Sequence, residues 1–371
     1  MKILLLSNMY PSEKHPYYGT FVKTSEDILL DEKHDVKKIV MTKTNNSVIR
    51  RIKYLLYYAH IILYLLVVTD RIVYIHYASH SAIPLNMISK MRRKQKIIVN
   101  LHGSDVMPEN KGQKKLQKHV RKLLNNAFQV VVPSMYYREL VIYRYNLDSE
   151  IVNVFPSGGI NPSVFNCDID RNICCDVLQL DKEKIYIGYV GRIDYQKGWD
   201  IFLEAISLLD KEKYGDLIRF VVVGSGKEND FFNEKVKKYN LEKVITKYDM
   251  LPQQQLRDVY TAIDVLCFPT MRESESLGLV GLEAMACGTP VIGTNNYGLK
   301  DYLVDNVNGF SFELGNAKSL ADCIDKFLSL DSDDLYFMRE NSIKTAERYE
   351  IKNISNSLTI LFEEVGKGSD I

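Results

Sequence analysis

Two doubly wound parallel α/β sheets are the fold this chain predicts, and three observations predict it. Short apolar runs alternate with longer helical stretches through both halves, the pattern of strands joined by crossover helices. At 371 residues the chain is long enough for two domains. Its net charge of +1 is unevenly spread: residues 1–165 hold 24 Lys+Arg against 12 Asp+Glu, and residues 166–371 hold 24 against 35. A +12 half and a −11 half indicate two domains with different partners. The basic half favours an anionic surface: membrane lipid, phosphorylated lipid or nucleic acid. With 46% apolar and 26% charged residues, the composition is that of a folded globular chain. The six cysteines form no Cys-x-x-Cys pair, which points to a reducing cytosol and no zinc site; Cys267 and Cys287 read as core. The apolar opening at Ile3–Leu6 is too short for a signal peptide and reads as a first strand.

In the first half, residues 2–7 predict a central parallel strand. A long loop follows from Asn8, and Gly19 opens the next helix. Loops at the carboxyl ends of strands are where open α/β sheets bind ligands. A second strand spans 35–42. Next comes an apolar run from Tyr54 to Val68, interrupted by His60 and preceded by Arg50, Arg51 and Lys53. It is short of the roughly 20 residues that cross a bilayer. A buried core helix and a helix lying on a membrane surface both fit it. Strand 71–76 and helix 79–91 lead to the basic run Lys90–Lys96 and then to strand 97–101. His102 and Asp105 therefore stand at a strand's carboxyl end. A helix rich in lysine, Lys111–Lys122, widens the positive side, and strands 128–132 and 151–155 follow. The turn-rich segment Pro156–Phe165 reads as an interdomain linker and residues 166–184 as a polar surface loop.

The second half restarts with strand 184–190, whose exit loop carries Gly191, Arg192, Lys197 and Gly198 before a helix. Two cations there can clamp a diphosphate, Arg192 by its planar fork and Lys197 as a point charge. Strand 218–223 ends at Gly224-Ser225-Gly226, a weak dinucleotide signal; helices 228–239 and 253–262 and strand 264–268 come next. The second half centres on Glu275-Ser276-Leu277-Gly278-Leu279-Val280-Gly281-Leu282-Glu283. Glu275 falls at a strand-to-helix turn, and Glu283 about two turns into a helix closed by Gly288 and Pro290. Free amides at that helix start favour an anion, and two carboxylates accept hydrogen bonds from hydroxyls. The combination suggests a polyhydroxylated, phosphorylated ligand. Strand 290–293 and helices from 317, 333 and 350 complete the chain.

Several of these motifs, in order, resemble the retaining family 4 glycosyltransferases of the GT-B fold. They are Gly191-Arg192 with Lys197-Gly198 and Asp200, Val223-Gly224-Ser225-Gly226, Phe268-Pro269, the pair Glu275 and Glu283 with Glu283–Ile292, and Asn308-Gly309-Phe310. Gly19, His102-Gly103-Ser104-Asp105 and the linker from Ser157 to Phe165 fit less closely. The resemblance implies two Rossmann-like domains facing across a cleft. Residues 1–160 would be the acceptor and membrane side and 161–350 the nucleotide-sugar side, with a helix at 351–371 crossing back to the first domain. It implies that Glu283 holds the ribose hydroxyls and that Glu275, with Ser276, Leu277, Gly278 and Leu279 behind it, holds the donor sugar. Arg192 and Lys197, beside Gly191, would bind the diphosphate. Gly19 would let the first loop approach that diphosphate, and His102 would contact the transferred sugar. Two departures carry no role: the linker begins with Ser157 where the family has Asn, and Glu273 is an extra acid.

The implied reaction is retaining, needs no metal or other cofactor, and moves a hexose or N-acetylhexosamine from a donor such as a UDP-sugar. The implied acceptor is an undecaprenyl-diphosphate-linked saccharide for O-antigen, lipopolysaccharide, capsule or another bacterial surface polymer. That acceptor places the protein in the cytoplasm, peripheral on the inner face of the cytoplasmic membrane, with no nucleic-acid partner. A nucleotide-sugar epimerase of the same fold and a non-catalytic nucleotide-sugar-binding protein are the alternatives. An epimerase would act on donor alone; a binding protein would take donor without turnover.

Overall fold

The computed structural model describes every residue except Tyr17, Lys90, Arg92, Arg93, Lys94 and residues 368–371, with Lys211 described by its backbone alone. Four cations of the basic run Lys90–Lys96 thus lie outside the described residues. The chain divides into two compact units, Met1–Gly159 with Ile354–Ile371, and Ile160–Asn353.

In the first unit six strands, β1 (Lys2–Tyr10), β2 (Asp35–Thr42), β3 (Ile72–His76), β4 (Ile97–Asn100), β5 (Gln129–Val132) and β6 (Val152–Val154), form one sheet in the order β2-β1-β3-β4-β5-β6. Every pairing is parallel. Its helices are α1 (Thr20–Asp31), α2 (Ser47–Val67), α3 (Ala78–Ile88), α4 (Lys111–Leu124) and α5 (Met135–Tyr145). Ile3, Leu4, Leu5 and Leu6 are fully buried, as a central strand covered on both faces requires. Strand β1 runs three residues beyond the expected 2–7, so the loop after it is shorter than the sequence implied.

The second unit holds helices α6 (Arg171–Leu178), α7 (Trp199–Ser207), α8 (Lys211–Tyr214), α9 (Asn229–Lys238), α10 (Gln253–Ala262), α11 (Leu279–Ala286), α12 (Ala317–Leu328) and α13 (Ser332–Glu347). Helix α14 (Ile351–Lys367) begins there and continues into the first unit. Strands β7 (Ile185–Val190), β8 (Ile218–Val223), β9 (Ile245–Tyr248), β10 (Val265–Phe268), β11 (Val291–Thr294) and β12 (Gly309–Phe312) form a second sheet, ordered β12-β11-β10-β7-β8-β9 and parallel throughout. In each sheet the strand order reverses once, between β1 and β3 and between β7 and β10. A reversal leaves a crevice at the carboxyl ends of the two strands beside it, where ligands bind in open sheets.

One expectation needs correction, and one open alternative is narrowed. Residues 166–184 are not a polar loop throughout: Asp170 caps α6, which buries Cys174, Cys175 and Leu178 in the second core. Only two turns long, that helix shows too few residues for its period to be read. Helix α2 is not buried all round; it buries Tyr57, Ile61 and Leu65 and leaves most of its other apolar residues exposed. In the first unit α14 buries Leu358, Leu361, Phe362 and Val365, with Phe362 edge-on to Tyr74 at 5.2 Å and Lys96 donating to the Val365 carbonyl at 2.6 Å.

Candidate active site

The second unit gathers its polar side chains at the reversal between β7 and β10. The loop leaving β7 makes a short turn at Tyr195–Lys197 and enters α7 through Gly198, which has φ 72°. A Cβ at Gly198 would stand 1.9 Å from the carbonyl oxygen of Pro269, in the loop leaving β10. Only a glycine allows those backbones to meet, and Met271 N then donates to Gln196 O at 2.9 Å. This contact carries Lys197 to Glu275, 78 residues further along the chain, where ammonium and carboxylate form an ion pair. Both side chains are largely buried, 13% and 14% exposed. We expect Gly198→Ala to destabilise the chain by about 1–3 kcal/mol, read by chemical denaturation, and to uncouple the two loops.

Glu275 sits one turn ahead of α11, whose first amides have no acceptor within their own helix. Thr270 also donates to its carboxylate, at 3.3 Å. Burial opposes the charge on Glu275, but Lys197, then Arg272 and the Thr270 hydroxyl, outweigh it and hold the carboxyl below its usual value. Glu283 follows two turns later. The Tyr260 hydroxyl donates to it at 3.1 Å, yet burial dominates and raises its carboxyl to about 7. Tyr302 lies near both carboxylates and donates to Gly278 O at 2.9 Å, holding the start of α11 in place. Ser276 and Leu279 stand partly buried on either side of Leu277, which is core at 1% exposure. Gly191 ends β7, its amide donating to Val223 O at 3.0 Å. Arg192 is exposed and pairs with Asp194 at 3.6 Å. The structure thus joins Lys197 to Glu275 directly, gives Glu283 the Tyr260 hydroxyl as its partner, and leaves Arg192 at the rim. Thr270 and Tyr260 carried no sequence signal of their own, since each became relevant only through the carboxylate it meets in the fold.

In the first unit, His102 and Gly19 lie at the carboxyl ends of β4 and β1. The amides of His102, Gly103 and Ala78 all donate to the buried Asp105 carboxylate, at 2.8 to 3.3 Å. Asp105 therefore ties two strand exits together, a structural task the sequence did not reveal. His102 Nε2 and His76 Nδ1 share a hydrogen bond of 3.0 Å, and Phe21 packs on the His102 ring at 4.2 Å. Burial pushes His102 down to about 3 and His76 well below its ordinary value, so both imidazoles are neutral near pH 7. His102 can exchange hydrogen bonds but brings no positive charge. Gly19 caps α1 with φ 79°, and a Cβ there would lie 2.7 Å from the Met9 backbone. Its close approach is to its own chain. Among the described residues no group of three or more His, Cys, Asp or Glu could hold a metal ion.

The profile of the family described as "Glycosyl transferases group 1" matches residues 172–348. A 41.2 kDa protein of the cps region of Klebsiella pneumoniae is 28% identical over 242 residues, covering 63% of this chain and 62% of that protein. The D-inositol 3-phosphate glycosyltransferase of Corynebacterium urealyticum is 31% identical over 185 residues, 48% of this chain and 43% of that enzyme. This chain therefore spans less than two thirds of either relative. Among solved structures, Anabaena HepE in complex with UDP aligns with a TM-score of 0.79 at 16% identity, over 98% of this chain and all of that one. HepE has also been solved with UDP-glucose. At that identity the likeness is one of fold.

Proposed function

We propose that this chain, whose residues 172–348 match the group 1 glycosyl transferases and whose fold is GT-B, transfers a sugar from a UDP-linked donor to a lipid-linked saccharide, with retention at the anomeric carbon. One observation carries the reading: the buried Lys197–Glu275 pair ahead of α11, with Glu283 two turns behind it, at the reversal of the second sheet. In this reading ionised Glu283 accepts hydrogen bonds from the ribose hydroxyls, and Glu275 accepts them from the donor sugar. Lys197 and the α11 amides face the diphosphate, with Arg192 reaching it from the rim. As the bond from the anomeric carbon to the diphosphate breaks, negative charge grows on the leaving oxygen, and these donors stabilise it. The acceptor oxygen bonds to the same face of that carbon, and its proton passes to the departing phosphate. Neutral His102 is proposed to give a hydrogen bond to the transferred sugar, and Gly19 keeps the loop after β1 compact.

UDP bound to HepE supports the uridine donor. The +12 half and the cps-region relative support an anionic, lipid-linked acceptor of a surface polysaccharide at the inner face of the cytoplasmic membrane. A thermal-shift screen of nucleotide sugars in the presence of EDTA tests the donor. A rise in Tm of several degrees is expected with one UDP-sugar at saturation. No shift with any donor, alone or with a short-chain polyprenyl-diphosphate saccharide added, would refute the assignment.

A further inference from the structure

Helix α2 has two apolar faces, and the fold uses one. Tyr57, Ile61 and Leu65 recur at four-residue spacing and are buried. On the opposite side Val48, Ile52, Leu55, Leu63 and Leu66 recur at helical spacing, flanked by Leu56, and all are exposed, Leu55 by 67% and Leu63 by 64%. A stripe of this length on one face exceeds the scattered apolar residues of an ordinary surface. The helix cannot span a bilayer: its first two turns carry Arg50, Arg51 and Lys53, and no helix among the described residues is long and apolar enough to cross.

Helix α4 supplies the complement. It carries six cations from Lys111 to Lys122, all exposed, and no acidic residue. It turns Val120, Leu123 and Leu124 inward, to the core that also receives the buried face of α2. Helix α3 bridges the two, through Tyr57 to Ser81 at 2.8 Å and Asn86 to the His119 carbonyl at 2.8 Å. All three helices cover one face of the first sheet, so the α2 stripe and the α4 cations belong to one side of that unit. Met87, 69% exposed, lies on α3 between them.

We propose that α2 and α4 together dock this unit on an anionic lipid leaflet, α2 lying in the plane of the interface with its leucines among the acyl chains and α4 set over the headgroups. The charge decides the occupant. Nucleic acid would engage the cations but leave the leucines in water. A second copy would cover the leucines but, in a two-fold dimer, would bring two wholly basic α4 surfaces to the same side. An anionic bilayer satisfies both. The inference deepens the localisation proposed above and needs neither the donor nor the transfer reaction.

Flotation of the full chain with phosphatidylcholine vesicles, with and without 30 mol% phosphatidylglycerol, tests it. We expect at least tenfold tighter binding to the anionic vesicles, weakening as salt rises. Leu55→Ser/Leu56→Ser/Leu63→Ser and Lys114→Gln/Lys115→Gln/Lys118→Gln should each lose tenfold or more while keeping the wild-type Tm and UDP-induced shift. Equal binding to both vesicle types, or wild-type binding by either triple variant, overturns the proposal. So does a stable dimer in light scattering that the leucine variant dissociates, or duplex DNA binding that only the lysine variant loses in place of vesicle binding. Vesicle binding without any UDP-induced shift would sink the donor assignment and leave the docking surface standing.

Discussion

Lys197→Met is expected to lower donor turnover by about a hundred- to a thousand-fold, measured as UDP release in the presence of acceptor. The side chain does two jobs that one substitution removes. It neutralises Glu275 in a site that shields both groups from water, and in the proposed mechanism it faces the charge that grows on the departing diphosphate. Without it, burial is the largest influence on Glu275, and the carboxyl pKa should rise from its depressed value. Breaking one partner of a buried pair typically costs about 3–5 kcal/mol of stability, whereas removing both costs far less. Lys197→Met should therefore be less stable than Lys197→Met/Glu275→Gln, though both should turn over donor far more slowly than wild type. That double-mutant cycle separates the electrostatic role from a merely structural one. Wild-type turnover in Lys197→Met would remove the diphosphate assignment.

Glu283→Gln should weaken nucleoside binding and abolish its dependence on pH. The Glu283 carboxyl is raised from 4.5 to about 7 by burial, so near neutrality it is only partly ionised before ligand arrives. Ribose hydroxyls donate to the ionised form, so affinity should rise with pH to about 7 and level off above. Below that point it should fall by up to about tenfold per pH unit. Uridine carries no phosphate to titrate, which makes isothermal titration with uridine from pH 5.5 to 8.5 a direct readout. A flat wild-type profile would show that the ribose does not rest on Glu283. Stability moves the other way. Between 4.5 and 7 the folded chain binds more protons than the unfolded one, so the contribution of Glu283 to stability declines as pH rises through that window. The shift corresponds to on the order of 3 kcal/mol. Glu283→Gln should accordingly melt higher than wild type at pH 8, with the difference shrinking toward pH 4.5. A variant that gains stability while losing ligand is the signature of a charge held against its solvation for binding.

Local chemistry made much of this protein legible. Strands and helices announced themselves through apolar runs and their punctuation, because a parallel sheet buried on both faces demands continuous apolar strands. Glu275 and Glu283 could be placed on a turn and a helix because Gly278, Gly288 and Pro290 mark that helix's ends. The +12 and −11 halves foreshadowed two units with different surfaces. Contacts between distant segments were a different matter. Lys197 meets Glu275 only because Gly198 lets one loop touch Pro269 in the other, and nothing in either loop alone specifies that meeting. Tyr260, Thr270 and His76 drew no attention because each acts through a partner at least five residues away, and a hydrogen bond leaves no period in a sequence. The same holds for α2. Its apolar residues were visible, but which of its two faces is buried depends on what packs against it. Composition and period set the elements; the packing of one element on another decided which charges became buried, which pKa values moved and which leucines stayed in water.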